Sequence, residues 1–286
     1  MSVSKNLPDD SSADHCDDLG FTTRILIQGL YPYKHQESLT RVIRSGAWKI
    51  TLMASEGLPY GKYPRLIMAY IITQAVQRRH LPDDEARRIP LGSSINAFLT
   101  AMGISHRGTG GRQGTLKILR EQLHRLSTST LTVEHLGHPD RDSGAMMPIM
   151  RRWELWWSTS SAQDPLEDSW LELSEDFHAE IVAHPIPINL DILKALSRPR
   201  SMDVYLWATT RRHRLKAPLT LDWTTLQAQF GPDSPTTSRG RADFKKRFAK
   251  AVDEVLTLWP DAGLTLSETG LTLTPGRPSI TPRRGH

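Results

Sequence analysis

Residues 239–250 read Arg-Gly-Arg-Ala-Asp-Phe-Lys-Lys-Arg-Phe-Ala-Lys, six cations against one carboxylate in twelve positions, a net of +5. From Arg241 to Leu258 there is no Gly or Pro, and Phe244, Phe248, Ala251, Val255 and Leu258 recur at helical spacing. This predicts a long helix over 241–258 with one apolar and one basic face, stopped by Pro260. Ahead of it stand a helix over 202–212, a helix from the N-cap Asp222 to Gly231, and a loop rich in Pro, Ser and Thr at 232–238. Behind it, Leu264-Thr-Leu266 and Leu271-Thr-Leu273 alternate around Ser267-Glu-Thr-Gly270, a hairpin with Gly in its turn. Three helices followed by a hairpin is the order of a winged helix, whose third helix enters the major groove of DNA.

The same order stands earlier in the chain. One helix is predicted from Pro64 to about Arg79, and a second after Pro90-Leu-Gly92, with Ser93 as N-cap, Ile95, Phe98, Leu99 and Met102 on one face, and Gly103 at its end. Beyond a Gly-rich turn at 106–111, a third helix runs from Arg112 to Ser127. Leu116, Leu119, Leu123 and Leu126 form its buried stripe, and Lys117, Arg120 and His124 face away. Residues 128–135 alternate as a strand, with 147–157 as partner across a loop at 137–144. Pro90-Leu91 and Pro218-Leu219 are 128 positions apart, as are Gly103 and Gly231, and Leu116 and Phe244. Three matches at one offset, each at the corresponding place in one element order, indicate a repeat.

The expected fold class is therefore α+β, mainly α with small β-hairpins, arranged as two tandem winged-helix domains over 21–170 and 200–274. The connector, 171–199, carries the strand beginning at Trp170, a helix over 175–183 capped by Ser174, an extended Pro185-Ile-Pro-Ile188 and a short helix at 189–196. Residues 1–20 are expected to be a disordered acidic leader. Residues 275–286, with three prolines in eight positions, are expected to be a flexible tail.

The charge total of the 286 residues, +5, understates how basic the body is. Five aspartates against Lys5 give residues 1–20 a net of −4, so residues 21–286 carry +9. The single cysteine, Cys16, excludes an internal disulfide and a multi-cysteine metal site and fits a reducing, cytoplasmic setting. No secretion signal and no run of about 18 apolar residues is present, so no membrane contact is expected. Eight tryptophans and 38% hydrophobic residues mark a folded body.

A helix that reads DNA needs an apolar side to hold it to its domain and a basic, hydrogen-bonding side for phosphates and base edges. Both third helices meet that need. The candidate DNA-binding residues are Arg107, Arg112, Gln113, Thr115, Lys117, Arg120 and His124 in the first half. In the second they are Arg239, Arg241, Lys245, Lys246, Arg247 and Lys250. Arg125 adds charge to the first helix, and Glu121 opposes it.

Catalytic motifs fail one at a time, so no catalytic residue, metal ligand or cofactor is expected. Gly57-Leu-Pro-Tyr-Gly-Lys62 is one residue short of a phosphate loop, and Tyr63 stands where Ser or Thr would meet magnesium. Gln113 occupies the third-glycine position of a dinucleotide fingerprint. His178-Ala-Glu180 lacks the downstream cysteines of zinc deaminases, and His135 with His138 lacks a third ligand. Trp153, Trp156, Trp157 and Trp170 are assigned to packing.

Several blocks stand in fixed order: Gly57-Leu-Pro-Tyr-Gly-Lys-Tyr-Pro-Arg-Leu66, Pro90-Leu-Gly-Ser-Ser-Ile-Asn-Ala-Phe-Leu99, Thr109-Gly-Gly-Arg-Gln-Gly114, Arg120-Glu-Gln-Leu-His-Arg-Leu126, residues 177–190 with their His-Pro-Ile-Pro-Ile core, and Asp203-Val-Tyr-Leu-Trp207. Together they resemble plasmid-encoded replication initiators of the RepA type. The resemblance implies a protein that binds repeated sites, iterons, in double-stranded DNA at the plasmid origin. It also implies opening of the adjacent A·T-rich duplex, recruitment of host helicase or initiator proteins, and a monomer–dimer balance in which a homodimer represses its own gene. A tandem winged-helix transcriptional repressor without a replication role would use the same DNA contacts.

Overall fold

The computed structural model describes residues 19–23, 29–45, 47–92, 95–104, 111–138, 141–155 and 169–280; at 45, 95, 96, 111–113, 137, 138, 141 and 142 only the backbone is described. The chain opens with strands β1 (Leu19–Thr22), β2 (Thr40–Ser45) and β3 (Trp48–Ala54), then α1 (Tyr63–Gln77), α2 (Asp83–Arg87), β4 (Arg88–Pro90), α3 (Ile95–Ala101) and α4 (Gly111–Ser127). Next come β5 (Ser129–His138), β6 (Arg141–Pro148), β7 (Met150–Glu154), β8 (Trp170–Leu173), α5 (Glu175–Ala183), β9 (Ile186–Asn189) and α6 (Leu190–Ala195). The last part holds α7 (Pro199–Arg212), β10 (Leu219–Asp222), α8 (Trp223–Phe230), α9 (Ser238–Leu258), a 3-10 turn at Pro260–Ala262, β11 (Leu264–Leu266) and β12 (Gly270–Leu273). Helix and sheet are mixed throughout, as an α+β chain requires.

Each half is built around a helix buried on nearly every side. Eleven of the fifteen residues of α1 and ten of the fourteen of α7 are buried. Both start with Pro in the first turn, where a missing N–H breaks no intrahelical bond. Shorter helices pack around them, and the ends are fixed by caps: Ser174, Asn189, Asp222 and Thr237 each accept a backbone N–H of the first turn of α5, α6, α8 and α9.

The 128-residue offset reappears in the elements. Adding it to the bounds of α3 and α4 gives 223–229 and 239–255, inside α8 and α9. In the second half, β10 pairs antiparallel with β12 (Leu219↔Leu273, Asp222↔Gly270), and β11 lies on the other side of β12. In the first half, β4 pairs with β8 (Arg88↔Glu172, Pro90↔Trp170), and β7 lies on the other side of β8.

This corrects the expected pairing of 128–135 with 147–157. β5 pairs with β6, which begins inside the segment expected to be a loop, and both complete a four-stranded sheet in the order β2-β3-β5-β6. The strand equivalent to the second-half hairpin is β7, paired with Trp170–Leu173 across a long sequence gap. Alternation marks a strand without naming its partner. β6 conceals its own strand character because it lies at a sheet edge and reads Arg-Asp-Ser-Gly-Ala-Met-Met-Pro. Pro148 closes it, and the buried Ile149 and Met150 lead the chain into the second sheet.

Other departures concern the ends and the segment before residue 57. The sequence predicts no element over 40–54, where β2 and β3 form a hairpin with Thr40↔Met53 and Ser45↔Trp48 in register. Leu19 and Gly20, grouped with the leader, belong to β1, which pairs with β9 through Leu19↔Asn189 and Gly20↔Ile188. Residues 1–18 lie outside the described residues. Residues 275–280, grouped with the tail, run back beside α7. The Ser279 hydroxyl is 2.8 Å from the Tyr205 hydroxyl, and Arg212 donates to the Arg277 carbonyl at 3.1 Å.

The apolar core is continuous from Leu30 to Leu273 and passes through both halves. At its centre Arg65 on α1 meets Asp203 on α7 in a bidentate pair, both contacts 2.7 Å, with side chains 3% and 2% exposed. The guanidinium also donates to the carbonyls of Gly61 and Tyr31 at 2.6 and 2.8 Å. Burial alone would drive the charge off Arg65, but the charge and hydrogen bonds of the Asp203 carboxylate, with Tyr33 and Tyr31, together outweigh it and hold the guanidinium proton more tightly than usual. A second tie joins the buried Arg41 of β2 to Asp233, in the loop before α9, at 3.0 and 2.8 Å.

Candidate nucleic-acid interface

α9 is anchored through an aromatic cluster. Phe244 and Phe248 stack with centroids 5.5 Å apart, and Trp223 and Phe230 of α8 approach them edge-on or tilted at 5.3–6.5 Å. Such pairs contribute about 0.5–1.5 kcal/mol each beyond their burial, so the helix is held firmly along one face. Gly240, Ala251, Val252 and Val255 complete that face. Arg239, Arg241, Lys245, Lys246, Arg247 and Lys250 are all exposed. At 3.6 residues per turn, Arg239, Lys246 and Lys250 point most directly away from the apolar face, with Arg241 and Lys245 on one flank and Arg247 on the other.

Local contacts aim several of these cations. Lys245 Nζ sits 4.9 Å from the centroid of the Trp223 ring, and the Arg241 guanidinium donates to the Thr236 carbonyl at 2.6 Å. Asp243, the one carboxylate of the segment, lies 3.7 Å from Arg247 with both side chains more than half exposed, too weak a pair to neutralise the face. Trp223 also donates its indole N–H to the Glu268 carbonyl at 2.8 Å, which ties the β11–β12 turn to the start of α8. That turn carries an acid, Glu268, and no cation.

α4 is anchored differently. Leu119, Leu123 and Leu126 are fully buried, and Lys117, Arg120 and His124 are exposed on the opposite side. Arg125 does not join them. It turns inward, donates to the Leu58 carbonyl at 3.0 Å, pairs with Glu121 at 3.1 Å and lies 5.3 Å from the Tyr60 ring centroid. The buried Gln122 accepts from the Tyr60 N–H at 2.8 Å. Gly57-Leu-Pro-Tyr-Gly61, the segment that looked like a phosphate loop, is thereby the seat of α4. Gly57 has φ of +91°, and a Cβ there would meet the Arg125 guanidinium, so this seat favours glycine.

The structure scatters the predicted residues of the first half. Thr115 is 7% exposed and hydrogen-bonds the Tyr63 side chain, so it lies inside rather than on the basic side; a hydroxyl that short follows the apolar stripe on which position 115 falls. Arg107 lies outside the described residues. Arg112 and Gln113 stand on the first turn of α4, and their side chains also lie outside the described residues. Ser93, expected as an N-cap, lies outside them too, as do Trp156 and Trp157. Arg151, Arg152 and Trp153 of β7 were not foreseen as site residues. All three are exposed on this strand, which pairs with β8, Trp153 to 40%. A doublet of arginines on a strand is the signal that could have found them.

Other candidates have structural explanations. His135 packs edge-on against Trp48, ring centroids 4.7 Å apart. Glu180 pairs with His184, and burial followed by the nearby Arg87 charge lowers the pKa of His178. Among the described residues no three His, Cys, Asp or Glu side chains gather as a metal site, and no helix is long and apolar enough to cross a membrane.

A family model described as plasmid-encoded RepA protein matches residues 58–224, from the seat of α4 to the start of α8. The chain belongs to this family. Its RepA match covers more than half of the chain but stops before α9, so the strongest basic helix lies outside it. Among solved structures, that of RctB domains 2–3 matches 87% of this chain and 94% of its own, with 14% identity and a TM-score of 0.54. A structure of selenomethionine derivatives of domains 2 and 3 of RctB matches 85% and 84%, with 13% identity and a TM-score of 0.53. At such identity the likeness is one of fold. A search of curated proteins finds no match.

Proposed function

We infer that this RepA-family chain is a cytoplasmic, non-enzymatic plasmid replication initiator that binds iterons in double-stranded DNA at the plasmid origin, then promotes origin opening and helicase recruitment. The DNA-binding units are two winged helices. One is formed by α1, β4, α3, α4 and the β7–β8 hairpin, the other by α7, β10, α8, α9 and the β11–β12 hairpin. The observation that carries this reading is the exposure of all six cations between 239 and 250 on a helix whose opposite face is locked by aromatic packing. The repeat of the same helix–strand–helix–helix–hairpin order in the first half supports it, and so do the family and the fold likeness to RctB, a two-domain fragment of comparable span.

Arg239, Arg241, Lys245, Lys246, Arg247 and Lys250 then neutralise phosphates or reach base edges from one major groove. Arg112, Gln113, Lys117, Arg120 and His124 do so from the next, with Arg107 ahead of them. Arg151 and Arg152 add contacts from the first hairpin. The acidic Glu268 turn leaves the second unit to rely on its helix alone.

The test is footprinting and affinity measurement on the plasmid's own origin region over a range of salt. Protected repeats and a steep loss of affinity with salt are expected, because displaced counterions make binding salt-dependent. Affinity nearly constant between low and moderate salt would overturn the reading. Repeat binding without support of origin replication would favour a transcriptional repressor.

A further inference from the structure

We propose that the open edge of β6 and the adjoining face of α5 form a docking groove for an extended, Lys- or Arg-bearing segment of a partner protein. β6 ends the four-stranded sheet, and on its outer side no backbone hydrogen bond joins residues 143–147 to any described residue. Residues 143–146 are exposed, Met146 to 63%. Proteins protect such edges with Lys, Pro or a covering element. The stretch Ser143-Gly-Ala-Met-Met147 has none of the first two, and α5 stands off far enough to leave a groove of about 580 Å³.

The groove has the parts that strand addition uses. One wall is the unpaired backbone of β6. The other is a helix face on which Ala179 and Ala183, one turn apart, leave room for incoming side chains. Asp176 and Glu180, also one turn apart, line the same wall, and among the described residues no Lys or Arg lines the groove. Glu180 is only loosely engaged, 3.7 Å from His184. The recognition chemistry is therefore main-chain pairing along 143–147 with cations placed against Asp176 and Glu180. A second copy of this chain fits less well. Pairing β6 with itself about a two-fold axis would bring both α5 helices to the same seam and gather four carboxylates there. None of the residues assigned to DNA lies on β6 or α5.

The experiment uses the full chain and an acetylated ten-residue peptide of alternating Val and Lys, followed by fluorescence anisotropy and amide hydrogen exchange. A Val–Glu peptide and a Val–Lys peptide with two prolines serve as comparators. Saturable binding of the Val–Lys peptide alone is expected, with slowed exchange at 143–147. Glu180→Lys should weaken it at least tenfold and Met146→Pro, which removes an N–H on the open side because residues 145 and 147 are the ones that face β5, should abolish it, each variant keeping its circular dichroism spectrum and its affinity for origin DNA. Glu180 is on a surface helix, so its variant remains informative if Met146→Pro fails to fold. Equal binding of the Val–Glu peptide, indifference to Glu180→Lys, or protection elsewhere would overturn the proposal. So would sedimentation showing a dimer that Met146→Pro dissociates. Failure of the wild type to bind origin DNA would count against the initiator reading and leave the peptide result standing.

Discussion

Replacing Asp203 by alanine would leave the Arg65 guanidinium 3% exposed with no counter-charge. Two of its four hydrogen bonds vanish, and what remains are the carbonyls of Gly61 and Tyr31 and the rings of Tyr31 and Tyr33, 5.8 and 5.3 Å away. Carbonyls and aromatic faces soften an isolated charge without neutralising it. Breaking a buried pair from one side costs about 3–5 kcal/mol, a large share of the roughly 5–15 kcal/mol that separates folded from unfolded chains. For a chain this long the loss corresponds to a melting temperature lower by about 5–8 °C. Urea titration followed by tryptophan fluorescence is a suitable assay, because Trp207 is fully buried one helical turn beyond Asp203 and reports the loss of that core. The companion variant, Arg65→Met with Asp203→Leu, removes both charges and should recover most of the loss, since apolar replacement of a whole buried pair is often neutral or stabilising. A loss below about 1 kcal/mol for Asp203→Ala, or a double variant as unstable as the single one, would refute the reasoning.

Lys245→Ala with Lys246→Ala should weaken origin binding almost evenly across repeat sequences and reduce the salt slope by about 2, as expected for two lost phosphate contacts. Arg112→Ala or Gln113→Ala should instead shift the preferred repeat sequence, with each lost base contact worth about 1–3 kcal/mol in a base-substitution panel. Arg151→Ala with Arg152→Ala should lower affinity and shorten the footprint at one end of each site without changing sequence preference. Stability should also respond to acid through Glu254. Burial works against its charge, but bonds from Ser197, Ser201 and Arg198 outweigh that and hold its pKa below the ordinary 4.5. A depressed carboxylate pKa gives stability that is complete above 4.5 and is lost as pH falls through the lower folded value. Urea midpoints should therefore fall more steeply below pH 4.5 in the wild type than in Glu254→Gln.

Much of the helical framework is legible in the chain itself. The helix at 175–183 is found at the predicted residues and the long basic helix starts within three of them, because caps and prolines punctuate them and their apolar positions keep a 3.6-residue period. The strands are less legible. Residues 40–54 alternate but carry no turn signal strong enough to stand out, and β6 breaks the alternation with four exposed residues in a row at 143–146. The basic helix faces were foreseen from charge, whereas Arg125 and Thr115 were misplaced. An arginine near a helix end can reach inward to carbonyls as readily as outward, and nothing in its spacing says which.

The sequence alone determined the repeat, the two third-helix segments and where the positive charge concentrates, since periodicity, capping and net charge are local properties. Tertiary structure decided which strands pair, because a strand's partner depends on contacts far away in the chain. It also decided that the two halves share one core through Arg65 and Asp203. Those residues are 138 positions apart, and only folding sets the opposite charges 2.7 Å from each other in a place where water cannot screen them.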